Sequence, residues 1–336
     1  MIVRERVPLR ELTTLRVGGD AQYVYTVSTA EEVLEAVHFA KERDLPFFVL
    51  GGGSNLLASD EGYNGVILHM QTKGIASQDN GNTVMVEVQA GVDWNELIDW
   101  SVEQGLWGLE NLAGIPGTVG AAPVQNIGAY GVELADTLVS VSVLNTKTME
   151  TQTLSKEECQ LGYRDSRFKK EKEWIVLSVS LLLSKEGTPK VSYKDLQTYV
   201  AENGELKTPK EIATAVRSIR SKKFPNLTMF GSAGSFFKNP TITPSEYAAL
   251  ITLYPELPGF ENTGGIKVPL AWILDHILTL RGYREGTVFC FYTQPLVIVT
   301  EEGATANDVN IFANTIAEKV FSKTNIHIER EVQNFL

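Results

Sequence analysis

The stretch FGSAGSFFKNP, residues 230 to 240, sets one serine, Ser235, between small residues and two phenylalanines, with Lys238 three positions on. A nucleophile, a proton donor and a simple turn are all open to a serine in this setting. The Ser235-Phe236-Phe237-Lys238 spacing matches the S-x-x-K pattern of serine acyl-transfer enzymes, which also need S-D-N and K-T-G elements. Neither tripeptide occurs in the 336 residues. The plainer alternative is a glycine-rich turn whose serine caps the backbone and whose aromatics enter the core.

Two other stretches carry ligand chemistry, LGGGSNLL (50–57) and AGIPGTVGAAPVQNIGAYG (113–131). Successive backbone N–H groups of a glycine-rich turn can point into one concavity and hold phosphate oxygens, and only glycine lets a ligand come so close. Neither stretch reads G-x-G-x-x-G, because Gly51-x-Gly53-x-x runs into Leu56, and no G-x-x-x-x-G-K-[ST] exists. Rossmann and P-loop sites are therefore disfavoured. Taken singly each loop is an ordinary structural turn; two in one half of the chain point to a dinucleotide.

The elements that must position these residues can be read from periodicity. AQYVYTV (21–27) reads as a strand and STAEEVLEAVHFAKERD as a helix, with Ser28 and Glu31 spaced as a capping box. LPFFVL (45–50) follows as a short buried strand, which completes a βαβ unit ending in the first glycine loop. TVMVEVQAG (83–91) and WNELIDWSVEQGL (94–106) repeat the order, with Asp93 placed to cap. Strands at 137–145 and 173–184 flank the charged LGYRDSRFKKEK. TPKEIATAVRSIRSK (208–222) has a threonine cap, proline at the first helical position and an apolar stripe at 212, 215, 216 and 219. A domain boundary is expected just before this helix. Beyond it come helices near 243–253, 269–280 and 307–322, a strand near 295–300 and a terminal strand in IHIEREV.

A chain of this length exceeds one hydrophobic core, so two or three packed units are expected. The formal net charge of -11 argues against a nucleic-acid or anionic-membrane binder, which would want a basic surface. Cys159 and Cys290 are isolated and the four histidines are scattered, so neither a disulfide framework nor a metal site is expected. The first twenty residues lack a signal-peptide apolar stretch and no run reaches transmembrane length. A cytoplasmic, monomeric protein is the expectation.

Together, LGGGSNLL, AGIPGTVGAAPVQNIGAYG, YRDSRFK, GSAGSFFKNP and the terminal IEREV resemble, in order from about residue 10 to 332, the UDP-N-acetylenolpyruvoylglucosamine reductase family. The resemblance implies an α+β protein: a vanillyl-alcohol-oxidase-type FAD-binding domain of two lobes (1–72 and 73–212), a separate α+β substrate-binding domain (213–324) and a C-terminal strand (325–336) carrying a catalytic glutamate. It implies non-covalent FAD, NADPH as co-substrate and a UDP-sugar substrate. By resemblance Ser235 is a proton donor, with Glu331 and Arg164 beside the developing enolate. FAD is then held by Gly51, Gly52, Gly53, Ser54, Asn55, Gly114, Ile115, Pro116, Gly117, Gly120, Ala121, Asn126 and Gly128. Tyr193, Lys223, Asn239 and Gln294 match substrate-contacting positions, and Phe260 stands where type I members place a substrate-loop tyrosine. A basic patch of Arg217, Arg220, Lys222, Lys223, Lys238 and Lys267 is expected in the substrate domain. A flavin oxidase of the same fold, a serine acyltransferase and a non-catalytic flavin binder are the competing readings.

Overall fold

The computed structural model describes residues 1–262 and 264–335. The chain divides into two compact units, one of Met1–Val7, Ala21–Gly53 and Asn64–Ser221, the other of Pro8–Asp20, Ser54–Tyr63 and Lys222–Leu336. The change of unit after Ser221 falls later than the boundary read at residue 213. The physical reason lies in the helix Pro209–Lys223, whose Ile212, Ala213, Ala215 and Val216 are buried in the first unit's core.

Among the described residues the first unit holds two large sheets and a two-stranded one, Gly128–Ala129 with Val132–Glu133. In the smaller of the large sheets, Ile2–Pro8, Asp20–Val27, Tyr63–Met70 and Phe47–Leu50 lie in that order, and the last two pair in parallel with Phe47 opposite Val66. The larger is antiparallel, in the order Glu150–Ser155, Leu138–Asn145, Trp174–Ser184, Thr83–Gln89, Ile75–Asp79. Trp174–Ser184 alternates only weakly and is buried over most of its length, with Leu182 exposed. The helix after the first long strand, Ala30–Glu42, starts one residue later than its sequence suggests. Thr29 rather than Ser28 is its cap, accepting from the Glu32 N–H at 3.2 Å, while the Ser28 N–H is bonded to the Glu32 carboxylate at 2.6 Å. Two adjacent glutamates make the slip possible. Asp93 caps Trp94–Glu103 as expected, accepting from the N–H groups of Asn95 and Glu96.

The second unit is built on a four-stranded sheet, Gly231–Ser235, Val297–Thr300, Val288–Cys290 and Arg284–Glu285, with helices Pro244–Leu253 and Ala306–Thr324. Phe236 and Phe237 are buried in its core. Two expected elements differ. The segment read as a helix over 269–280 is helical only over Leu270–Trp272 and then widens into an i→i+5 turn, Ile273–Ile277, closed by the Leu278 N–H on the Ile273 carbonyl. The terminal strand is Gln333–Phe335, parallel to Leu56–Ala58, rather than IHIEREV. The backbone of that earlier segment is bonded instead to Phe236 and Lys238. Among the described residues no helix is long and apolar enough to cross a membrane.

Cys159 lies in the first unit's core and Cys290 in the second's, and burial pushes their thiols up to about 11 and about 12. Thiolate, the reactive form, is therefore scarce at pH 8. A chromogenic disulfide reagent should leave the native protein unlabelled at that pH while titrating both thiols after denaturation. Rapid labelling of native protein would contradict the burial of both cores.

Candidate active site

In the first unit the two glycine loops pack on one another. A Cβ built on Gly51 would lie 2.3 Å from the Thr118 hydroxyl and 3.5 Å from the Ala121 methyl; one on Gly52 would lie 2.9 Å from the Cα of Gly117. Gly52 and Gly117 thus meet backbone to backbone, and Gly53, Gly114 and Gly117 take φ of 61°, 74° and 131°. The second loop is fixed from below by the Gly120 N–H on the Ala90 carbonyl (2.8 Å) and the Val119 N–H on that of Val92 (2.9 Å). From the side it is clamped by Asn95, whose Oδ1 accepts from the Gly114 N–H (2.7 Å) and whose Nδ2 donates to the Ile115 carbonyl (2.9 Å). Pro116 follows within the same clamp.

A cation sits at this loop. Arg220 donates Nε–H to the Gly114 carbonyl at 3.0 Å and hydrogen-bonds the Tyr130 phenol. Burial lowers the pKa of the Arg220 guanidinium, an effect Tyr130 opposes and the charge of Arg164 reinforces. Burial pushes the Tyr130 phenol up to about 12, so it stays protonated at neutral pH. A glycine-rich turn surface with a guanidinium on it is a setting that suits the diphosphate of FAD. Arg217 and Arg220 thus belong to the first unit rather than to a patch on the second, and Arg217 is paired with Asp99 at 2.6 Å.

Arg164 occupies a left-handed backbone conformation, φ 52°, which costs a non-glycine residue about 1–2 kcal/mol. The surroundings hold it there. Lys169 donates to its carbonyl (2.7 Å), buried Ser166 donates to the Val124 carbonyl (2.6 Å), and Asn126 donates to the Gly162 carbonyl (3.1 Å) while accepting from the Ala135 N–H (3.1 Å). The side chain of Asn126 is thereby engaged with backbone. Arg164 itself donates Nη2–H to the Gly128 carbonyl at 2.6 Å, close enough that a Cβ on Gly128 would lie 3.1 Å from Nη1. Tyr193, half-exposed at the start of Lys194–Asn203, packs edge-on to Tyr130 with ring centroids 5.3 Å apart.

In the second unit Ser235 is no turn residue. It ends the Gly231–Ser235 strand, opposite Val297, just past a register shift at which Gly234 has φ 75°. Bulges of this kind re-aim the side chain that follows them. Ser232 stabilises the bulge, donating to the Ile298 carbonyl (3.0 Å) and accepting from the Gly234 N–H (3.2 Å). Glu331 is brought beside it by backbone, its N–H bonded to the Phe236 carbonyl at 2.8 Å. Asn55 adds a second hold, its Nδ2–H donating to the Glu331 carbonyl (3.2 Å) and its backbone carbonyl accepting from the Gln333 N–H (3.1 Å). Ser54 and Asn55 accordingly belong to the second unit although they continue the first glycine loop. Lys238 is paired with Glu329 at 3.0 Å, so it is not poised to deprotonate Ser235 and the acyl-transfer reading loses its base.

The remaining predicted residues are spread through the second unit. Asn239 accepts the Leu270 N–H at 2.9 Å. The Lys223 carbonyl accepts from the Thr293 hydroxyl at 3.4 Å, which sets Lys223 next to the turn containing Gln294. Phe260 is exposed and pairs with Lys267 across a short hairpin. Among the described residues no group of three or more His, Cys, Asp or Glu could hold a metal ion. Sequence reasoning missed Asn95, Tyr130, Ser166 and Lys169, and missed the structural use of Arg220. For Asn95, Tyr130 and Ser166 the signal is tertiary, each bonding a group far along the chain, while Lys169 bonds the Arg164 carbonyl five residues back.

Comparison with known proteins agrees with this division. Residues 21–154 match the family described as FAD binding domain, and residues 225–335 match the C-terminal domain of UDP-N-acetylenolpyruvoylglucosamine reductase. The UDP-N-acetylenolpyruvoylglucosamine reductase of Pseudomonas aeruginosa is 36% identical over 334 residues, covering 98% of this chain and 98% of that one. That of Neisseria gonorrhoeae is 36% identical over 336 residues, covering 98% and 96%. The crystal structure of the enzyme from Thermus caldophilus covers 100% of both chains at 28% identity and a TM-score of 0.69. The fold is thus the α+β arrangement expected, with an FAD binding domain and a C-terminal domain matched separately. With its residues 225–335 matching the family's C-terminal domain and a relative 36% identical over 98% of both chains, this protein belongs to the UDP-N-acetylenolpyruvoylglucosamine reductase family.

Proposed function

We propose that Ser235, Glu331 and Arg164 are the catalytic groups of the reaction this FAD-dependent oxidoreductase performs in peptidoglycan precursor synthesis. That reaction is the NADPH-dependent reduction of the enolpyruvyl double bond of UDP-N-acetylglucosamine enolpyruvate to UDP-N-acetylmuramate. What bound FAD supplies is hydride chemistry, accepting from NADPH and donating to the β-carbon of the enol ether. Negative charge then builds on the α-carbon and its carboxylate, and the chain must oppose that charge and protonate the carbon.

Arg164 suits the first task. Its fork can pair with both carboxylate oxygens, and its left-handed backbone, held by Lys169, Ser166 and Asn126, fixes the head before substrate arrives. Ser235 suits the second. A serine hydroxyl is a weak acid, so it serves only against a strongly basic carbon and must regain its proton. The observation that supports the assignment is the Glu331 N–H on the Phe236 carbonyl, which brings the Glu331 backbone to the residue after Ser235. Lys223, Tyr193, Asn239 and Gln294 are the substrate contacts in this reading, the Asn239 Oδ1 accepting the Leu270 N–H and its Nδ2 being the group offered to the ligand. The glycine loops around Gly51–Gly53 and Gly114–Gly120, extending to Ala121, Asn126 and Gly128 and including Ser54 and Asn55, hold FAD. The protein acts as a cytoplasmic monomer on a small molecule, without nucleic acid or membrane.

Two outcomes test this. In Ser235→Ala, flavin bleaching by NADPH should proceed at the parent rate, while reoxidation by the enolpyruvyl substrate in stopped flow should fall by ~10²–10⁴-fold, the range for general acid–base groups. Equal loss in both half-reactions would make Ser235 structural. In Gly52→Ala the new methyl meets the Gly117 backbone, which should cost about 1–3 kcal/mol as overpacking does. The variant should release FAD at lower denaturant than the parent, followed by flavin fluorescence.

A further inference from the structure

Arg330 lies between the two catalytic candidates of the second unit without being either. Its guanidinium reaches the helix Ala306–Thr324. There Nη1 donates to the Asn310 Oδ1 at 2.5 Å, and Nη2 donates to the Asn310 carbonyl at 3.2 Å and to the Asn314 Oδ1 at 2.9 Å. The same guanidinium lies 5.7 Å from the ring centroid of Phe236, the residue after Ser235. Its backbone pairs with Phe237 as an isolated bridge. On either side the segment is sewn to the Ser235 loop: the Lys238 N–H is bonded to the Glu329 carbonyl (2.9 Å) and the Glu331 N–H to the Phe236 carbonyl (2.8 Å).

A half-buried guanidinium that spends three hydrogen bonds on neutral amide groups is an expensive way to anchor a chain segment. A neutral residue would serve if the segment needed only to be covered. Arginine's planar, pre-organised fork gives direction as well as attachment. It fixes the segment's rotation about its own axis, and that rotation decides where the next residue, Glu331, points.

Resting on the catalytic reading above, we infer that Arg330 is a positioning residue for the substrate half-reaction, holding Glu331 and the Phe236 end of the Ser235 loop in register against the helix Ala306–Thr324. It touches neither flavin nor substrate in this scheme. Its loss shifts Ser235 and Glu331 relative to the reacting carbon, and misplacement of about 1 Å can cost about 10²-fold. Substrate binding and flavin reduction, which use other residues, are spared.

Arg330→Met, which keeps the stem length and loses the fork, should retain FAD, its melting temperature within a few degrees, and the parent's NADPH-driven flavin bleaching. Reoxidation by UDP-N-acetylglucosamine enolpyruvate should slow ~10- to 10²-fold, with the substrate affinity read from perturbation of the oxidised-flavin spectrum unchanged. Arg330→Lys, a cation without the fork, should recover only part of the rate. The paired change Asn310→Ala and Asn314→Ala alters the other side of the contact and should reproduce the selective loss should the methionine variant fail to fold. Parent-like reoxidation in the methionine or the asparagine variant, or equal slowing of both half-reactions, would overturn the role of Arg330. A parent chain bleached by NADPH yet not reoxidised by the enolpyruvyl compound would overturn the catalytic reading first, and this inference with it.

Discussion

Ser235 and Glu331 are 96 positions apart in sequence (331 less 235) and are neighbours because of one backbone hydrogen bond, from the Glu331 N–H to the Phe236 carbonyl. The rest of the second unit serves that contact. The bulge at Gly234 frees the Phe236 carbonyl from regular sheet pairing, and the burial of Phe236 and Phe237 pins the loop to the core. Gln333–Phe335, paired with Leu56–Ala58, holds the far end of the segment. A hydrogen bond of this kind contributes about 1 kcal/mol net, too little to locate a residue alone. Flanking bonds at Glu329 and Asn55 and the grip of Arg330 make the position unique.

Side-chain amides recur wherever irregular chain must be held. Asn95 clamps the second glycine loop and Asn126 joins it to the segment before Arg164. Asn111 donates to the carbonyls of Tyr130 and Lys190, and within the second unit Asn55 donates to the Glu331 carbonyl. The choice follows from what glycine-rich loops lack. They have no side chains to pack and leave backbone groups unpaired, and a carboxamide offers a donor and an acceptor in one plane to satisfy them.

Periodicity revealed what is buried and regular. The cap at Asp93, the Pro209–Lys223 helix with Thr208 and Glu211, and the long central strand Trp174–Ser184 were all legible from local pattern. The edge strands Ile75–Asp79 and Glu150–Ser155 were not, because solvent covers most of their side chains and their polar sequences show no alternation. IHIEREV alternates like a strand yet spends its hydrogen bonds on a loop, which no local pattern can show. Among site residues, motif resemblance supplied Ser235, Arg164 and Glu331. Tyr130, Lys169 and Arg330 stayed hidden because their roles exist only through partners such as Arg220, the Arg164 carbonyl and Asn310. Arg217 and Arg220 were misplaced for the same reason: a basic helix end reads as a ligand patch until its partners Asp99 and Gly114 are seen.

The central claim is that one chain holds FAD and uses it on an enolpyruvyl double bond, and an anaerobic titration reads both halves at once. The purified protein is reduced with NADPH, UDP-N-acetylglucosamine enolpyruvate is then added, and the flavin's visible absorbance is followed throughout. The account predicts that the colour bleaches and then returns on adding the enolpyruvyl compound. Bleaching without return would contradict the assignment of substrate and of Ser235, and absence of flavin colour after reconstitution with FAD would contradict the reading of the glycine loops.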